Sequence, residues 1–529
     1  MSAGVSLAGK PPAADGPSGL EALARGGLLN LVGGAVSGVF GLALVVVVSR
    51  GLGASRTGVF FEAVALFTIL SSVAEFGAST GMVRLVARSR GDVGRIESLY
   101  RVALLPVLAG SAVVAVALFT LAPVIAELVV DEGTVPLMTD YVRALCWFLP
   151  AATGASVVLA GTRGFGTMLP FVALESTMKP LLRLLLIWLV IAAGLGAGAV
   201  TAGWALPMAL TFPLGLLAFV RMVRAARRAQ VGGEEIREPW RNAARDFWRF
   251  AAPRGLATIF QLSVLWLDIL LVGALRGARE AGIYAAVSRF VLVGALAIEA
   301  VRFAIAPQLS RLLGLGDHRE AEHLYQRGTW WLMALSWPFY LSILFFTPTI
   351  VSLFGPEFAE GAVPLAILSV AMLANTGTGN VTVVLLMGGK SSWNLANTVA
   401  ALVANVTLNL LLIPPLGVTG AAIAWSVSIL VENGAALVQI KRFFGIRPFG
   451  SGYLRVVAAA VVTFGPVGLL VRTFVGSGPG ALAVFAAGAV PLFALAIWRS
   501  RRELDLGVLA DAVPGLGRRR RARRSGSEG

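Results

Sequence analysis

Fourteen stretches of this chain are each long and apolar enough to cross a hydrocarbon layer, and that recurrence fixes the kind of solvent the protein folds in. A membrane-spanning helix needs about 20 mostly apolar residues. Such runs lie near 26–49, 57–80, 102–125, 139–162, 170–193 and 199–220, then near 252–275, 282–306, 328–354, 362–387, 394–413 and 420–440, with a last pair near 456–474 and 480–498. Backbone N–H and C=O groups in lipid must be satisfied internally, which favours helices. Of the 529 residues 57% are hydrophobic and 14% charged, against about a quarter charged in soluble chains. The expected fold class is an all-α polytopic membrane protein of about 14 transmembrane helices.

The basic residues set the orientation. With the N-terminus inside, the inside segments hold 33 lysines and arginines and the outside loops only five, Arg50, Arg56, Arg276, Arg279 and Arg472. Cytoplasmic loops carry such an excess, so both termini are expected in the cytoplasm and the protein in the cytoplasmic (inner) membrane. This bias also accounts for the net charge of +16 and the run Arg518–Arg521, which fits an orientation or anionic-lipid signal and no nucleic-acid partner. The first apolar run is too long for a signal-peptide core. Cys146, the one cysteine, lies within an apolar stretch and leaves no disulfide to form.

The two halves repeat. Gly53-Ala54-Ser55-Arg56-Thr57-Gly58-Val59-Phe60 matches Gly277-Ala278-Arg279-Glu280-Ala281-Gly282-Ile283-Tyr284, and Pro123, Val135-Pro136-Leu137 and Trp204 match Pro348, Val363-Pro364-Leu365 and Trp425 at nearly the same spacing. An even number of spans per half gives both the same orientation, a parallel repeat. The expected organisation is a disordered N-terminus (1–25), an N-lobe of six spans (26–220), a cytoplasmic linker (221–250), a C-lobe of six spans (251–440), a C-terminal helix pair (441–498) and a basic tail (499–529).

Motifs of soluble enzymes are missing. Gly388-Gly389-Lys390-Ser391 lacks the upstream glycine of a phosphate-binding loop, with Val384 in its place. His318 and His323 have no metal-ligand framework around them, so no metal and no cofactor is expected. Charges inside spans are costly and usually face a bundle interior or watery cavity. Glu175, Lys179 and Arg183 fall at i, i+4 and i+8 in the fifth span beside Pro180, either a cationic patch for an anionic headgroup or an internal ion pair. Asp268 and Arg289 lie at similar depths in neighbouring spans and are expected to pair, structurally or as an ion-responsive switch. Glu62, Glu75, Glu299 and Arg302 carry the same ambiguity, while Arg84 and Arg254 lie near the inner surface, where arginine snorkels. Lys179, Arg183, Arg254 and Arg289 are the candidate substrate-binding cations, and Asp268, Glu62, Glu75 and Glu175 the coupling or ion-pair candidates. Polar, glycine-rich breaks are expected mid-span in matching places of the two halves, at Thr153-Gly154 and at Asn375 to Asn380 with Gly377 and Gly379. Paired breaks mark a transporter's central site, and small residues also serve close packing.

Three stretches then carry a resemblance. Gly277 to Tyr284, Asn405-x-x-Leu408-Asn409 running to Pro414 with Gly417-x-x-Gly420-Ala421, and Phe354-Gly355-Pro356-Glu357-Phe358 followed by Pro364-Leu365 resemble the polysaccharide transporter, or oligosaccharide-lipid flippase, branch of the multidrug/oligosaccharidyl-lipid/polysaccharide exporter superfamily. The resemblance covers nearly all of the chain up to about Gln439. It implies a two-lobed bundle that flips lipid-linked (undecaprenyl-pyrophosphate-type) oligosaccharide by alternating access, with cations facing the pyrophosphate. Membrane lipids and polysaccharide assembly proteins are the implied partners. It transfers no role residue by residue, so the candidate cations rest on burial and charge. The rival readings are a cation-coupled drug exporter of the same superfamily, with Asp268 or Glu75 coupling, and a membrane glycosyltransferase or polymerase, for which the short outside loops leave little room.

Overall fold

The computed structural model describes residues 19–89, 92–229 and 240–500, and among them every regular element is helical. The first half contains α1 (Gly19–Glu75), α2 (Ala78–Arg88), α3 (Val93–Val129), α4 (Val135–Cys146), α5 (Leu149–Gly164), the short α6 (Leu169–Phe171), α7 (Lys179–Ala192) and α8 (Ala197–Ala229). The second half contains α9 (Trp240–Arg276), α10 (Ala278–Leu292), α11 (Leu296–Gly314), α12 (His318–Phe345), the short α13 (Thr347–Val351), α14 (Ala362–Gly377), α15 (Val381–Met387), α16 (Ser391–Leu416) and α17 (Val418–Phe444). α18 (Ser451–Phe474) and α19 (Pro479–Arg499) follow.

Among the described residues ten helices are long and apolar enough to cross a membrane, or eleven if the bent pair of α4 and α5 counts as one span. The first of the ten is itself two helices, because Gly53 leaves helical space with φ 75° and ψ 173°. A residue with a Cβ would be strained there. The chain reverses at this point, bringing the Thr57 hydroxyl back to the Val48 carbonyl at 3.4 Å. The loops at Gly53, Asp131, Gly277, Glu357 and Gly417 all meet at this end of the bundle: Ala54 N–H reaches Glu357, Ala278 N–H reaches Asp131, and Gly417 abuts Glu280. Contacts of Gln326 with the Arg447 carbonyl (3.0 Å) and of Arg227 with Glu97 (3.3 Å) join segments at the opposite ends of the helices.

The halves are held by close packing of small residues. A Cβ on Gly58 would overlap the Ala278 carbonyl oxygen, and one on Gly282 would overlap that of Ala54. Such contacts let backbones approach in lipid, where burial of apolar surface gives helices little reason to associate. The largest core cluster accordingly runs from Val45 and Phe60 in the first half to Ile283, Phe354 and Trp425 in the second. α18 and α19 pack on α12 through Phe464, Phe485 and Phe493. Their outward faces present Leu469, Leu470 and Phe474, the last 81% exposed. In water each would forfeit about 25 cal/mol per Å² of apolar surface, which hydrocarbon does not exact. The chain is a multi-pass membrane protein.

Three of the expected segments are described only in part. The first helix begins at Gly19, inside the segment expected to be disordered, while 1–18 lie outside the described residues. The linker expected at 221–250 is helical up to Ala229 and again from Trp240, and 230–239 are not described. The basic tail beyond Ser500 also lies outside the described residues.

Candidate functional site

The site is built around a distortion in the helical stretch that leads into α7. Pro180 has no N–H and its ring crowds the carbonyl four residues back, so the backbone opens into a π-helical stretch over Val172–Met178 before α7 begins. Single π turns inside helices recur at functional sites. This one ends at Lys179, which forms an ion pair with Glu175. One turn on, the Arg183 guanidinium lies 3.9 Å from the centre of the Trp204 ring and its Nε donates to the Trp204 carbonyl at 2.9 Å. Its Nη2 is buried with no hydrogen-bond partner among the described residues.

From the other half, Arg289 on α10 lies 3.5 Å over the Trp266 ring of α9, and its Nε and Nη2 are likewise buried without partners among the described residues. Lys179, Arg183 and Arg289 line one cavity of about 650 Å³ between the halves. Ser72, Glu75, Thr153 and Thr258 add polar wall, and Gly41 leaves the α1 side open. Three cations therefore face two carboxylates, Glu75 and Glu175, in a chamber whose unbonded N–H groups suit an anion.

A second space adjoins the first. A groove of about 570 Å³ lies between α1, the π-helical stretch with α7, and α11, and it shares Glu175, Lys179, Arg183, Gly38 and Leu296 with the chamber. Its remaining wall mixes Leu31, Phe171 and Phe303 with Asn30, Ser37 and Ser176. The same two cations thus stand at the junction of two spaces, each walled by both polar and apolar side chains.

The other candidates fall elsewhere. Asp268 does not pair with Arg289: its carboxylate accepts from the Tyr284 hydroxyl at 2.7 Å and from the Asn409 amide at 2.8 Å, with Asn405 buried beside it. Tyr284, five residues before Arg289 on α10, takes one carboxylate oxygen and Asn409 takes the other. Arg254 is not part of the chamber wall; it stacks on Phe250 at 4.1 Å, and Arg84 stacks on the same ring at 4.2 Å. Glu62 also lies off the chamber, fully buried against Gly273. Glu299 pairs with Arg302 at 2.5 Å on a half-exposed face, and Glu299 borders the groove.

The expected break at Thr153-Gly154 is absent. α5 runs through both residues, Thr153 Oγ1 bonds to the Leu149 carbonyl at 3.0 Å, and Gly154 makes room for Phe212. The bend in this span comes earlier, at Trp147-Phe148, where α4 and α5 meet at 44°. In the second half α14 ends at Gly377 and α15 starts at Val381, with Gly379 at φ 73° between them. There Asn375 accepts from Asn433 at 2.7 Å and Asn380 reaches the Ile298 carbonyl at 3.4 Å, outside the chamber wall. Sequence reasoning missed Trp204 and Trp266 as arginine platforms, Tyr284 and Asn409 as donors to Asp268, and Glu432, which accepts from Thr398 at 2.8 Å. The Asn405/Asn409 spacing inside an apolar run was the one available signal for the Asp268 cluster.

A helical membrane bundle with a charged chamber between two halves is the architecture of a transporter. Residues 23–313, more than half of the chain, match the polysaccharide biosynthesis protein family, and the chain belongs to that family. Residues 253–411 also match the MatE family. The chain is 23% identical over 425 residues to the probable low-salt glycan biosynthesis flippase Agl15 of Haloferax volcanii, covering 78% of this chain and 83% of the relative. It is 25% identical over 238 residues to the probable flippase AglR of the same organism, 43% of this chain and 49% of the relative. Among solved structures, the inward closed conformation of the lipid II flippase MurJ superposes with a TM-score of 0.67 at 12% identity, covering 90% of this chain and 99% of the other. The inward-facing conformation of a multidrug resistance MATE family transporter of the MOP superfamily gives 0.66 at 18% identity, covering 80% and 98%. These likenesses place the fold with both.

Proposed function

We propose that this protein translocates a lipid-linked oligosaccharide of the undecaprenyl-pyrophosphate type across the cytoplasmic membrane by alternating access, for surface polysaccharide synthesis. The observation that carries this reading is the sharing of Lys179 and Arg183 between chamber and groove. A lipid-linked glycan has an anionic diphosphate between a hydrophilic sugar and a hydrocarbon tail. The cations suit the diphosphate, and the two spaces that meet at them give the sugar and the tail separate room. Arg289 would grip the diphosphate from the opposite half, so both lobes engage the substrate, as a rocking carrier requires. The relative named as a glycan biosynthesis flippase supports the same class of cargo.

In this reading fourteen segments cross the membrane: the two parts of α1, α3, α4 with α5, α7, α8, α9, α10 with α11, α12, α14 with α15, and α16 to α19. The two six-span lobes (26–220 and 251–440) form a parallel repeat, the Gly53 end faces outward, and both termini lie in the cytoplasm. Asp268, bonded to Tyr284 and Asn409 and one neighbour away from Arg289, is the residue best placed to couple an ion to the lobes' movement. Glu75 and Glu175 balance part of the chamber's charge.

Cationic-drug export is the second reading, favoured by the MatE match. The excess of cations in the chamber opposes a cationic cargo. Cells lacking the chromosomal gene and carrying Lys179→Ala/Arg183→Ala should lose polymer export while protein levels hold. Full export in the double variant would refute the cationic site; drug resistance with intact surface polymer in the deletion strain would favour the second reading.

A further inference from the structure

The repeated motif of the two halves takes no part in the chamber, yet it lies where they touch. We propose that Asp131 and Glu357 form a reciprocal latch that closes the chamber at the Gly53 end, each capping a helix of the opposite lobe. This rests on the alternating-access reading above.

Asp131 sits in the loop between α3 and α4 and accepts the N–H of Ala278, the first residue of α10, at 3.0 Å. Glu357 sits between α13 and α14 and accepts the N–H of Ala54, the first residue beyond the kink in α1, at 2.7 Å. Ala54 and Ala278 occupy the same place in the repeated motif, so one interaction is made twice with the lobes exchanged. The glycine before each adopts one backbone conformation, φ 75° and ψ 173° at Gly53, φ 88° and ψ 167° at Gly277. That conformation turns the following N–H towards the partner's carboxylate. Gly58 and Gly282, five residues on, allow the two backbones to cross in contact.

A carboxylate at a helix N-terminus accepts an orphan donor and meets the positive end of the helix dipole. Within a lobe such a cap would be indifferent to the lobes' positions. Between lobes it exists only while this end is shut, so it biases the equilibrium towards that state. Glu62 opposes it. Its carboxyl is fully buried against Gly273 of α9 with neither oxygen hydrogen-bonded among the described residues, a burial cost that separation of the lobes would relieve. The interface thus combines two releasable caps with one buried group that favours release.

The test uses Thr68→Cys, at an uncharged position of the chamber wall, in a Cys146→Ala background. A membrane-impermeant thiol reagent is added to either side of oriented vesicles. Losing one cap at this type of position shifts a closed-to-open ratio about fivefold. Asp131→Ala and Glu357→Ala should each raise labelling from the Gly53 side by about that factor, and the pair by about 25-fold, near additivity. Glu97→Gln removes a partner of Arg227 (3.3 Å) at the opposite end of the helices and should change nothing. Parental labelling in folded cap variants, single or double, overturns the latch. A side-specific gain in a protein that moves no lipid-linked glycan would preserve the latch and refute the cargo.

Discussion

Replacing Lys179 by methionine removes one ammonium at nearly constant side-chain length, and its two consequences can be separated. Glu175 loses its partner. The Lys179 and Glu175 side chains are 16% and 30% exposed, so the pair stands between a buried one, whose disruption costs about 3–5 kcal/mol, and a surface one worth about 0–1 kcal/mol. A loss of about 2 kcal/mol follows, read as a fall of roughly 2–4 °C in Tm for a chain of this size. The chamber also loses one of three cations. A hydrogen bond to a charged group contributes about 1.5–3 kcal/mol, so affinity for a diphosphate lipid should fall roughly 10- to 150-fold. Adding Glu175→Gln removes the orphaned carboxylate: Tm should return close to the parent while affinity stays low. Thermal unfolding in detergent, followed by tryptophan fluorescence, and titration with a diphosphate lipid read the two quantities separately. Parental affinity in the Glu175→Gln/Lys179→Met protein would refute the reasoning and make Lys179 a counter-ion for Glu175 alone.

Three further outcomes follow from the same geometry. Trp204→Leu removes the ring under Arg183, a contact of about 0.5–2 kcal/mol, and should weaken diphosphate-lipid binding about 2- to 30-fold with no change of charge. Tyr284→Phe takes one of two hydrogen bonds from the buried Asp268 and should lower stability by about 1.5–3 kcal/mol, measured as Tm; an unchanged Tm would mean that Asp268 does not depend on this donor. Arg254→Ala, outside the chamber wall, should leave diphosphate-lipid affinity within about twofold, and a larger loss would bring Arg254 into the site.

The membrane fold was legible because the apolar runs are long and basic residues punctuate them. Lys179 and Arg183 stood out as charges where lipid tolerates few. The features that failed depended on neighbours in space. Trp147-Phe148 bends the fourth span with apolar residues, so no polar signature marked it, whereas Gly154 resembled a break and serves the packing of Phe212. Equal depth suggested an Asp268–Arg289 pair, but it could not show that Tyr284 and Asn409 reach the carboxylate first. Asp131 and Ala278 are 147 residues apart in the chain, and Ala54 and Glu357 are 303 apart. No local pattern announces a cap supplied from the other half, although the repeated motif flagged its receiving ends.

The most direct test of the account is translocation by purified protein in sealed proteoliposomes loaded with a diphosphate-linked oligosaccharide lipid. Wild-type protein should expose inner-leaflet glycan to an impermeant enzyme or lectin outside the vesicle, and Arg183→Ala/Arg289→Ala protein should not. Glycan that stays protected with folded wild-type protein under an imposed ion gradient, or that is exposed equally by the double variant, would contradict a cationic chamber as the passage.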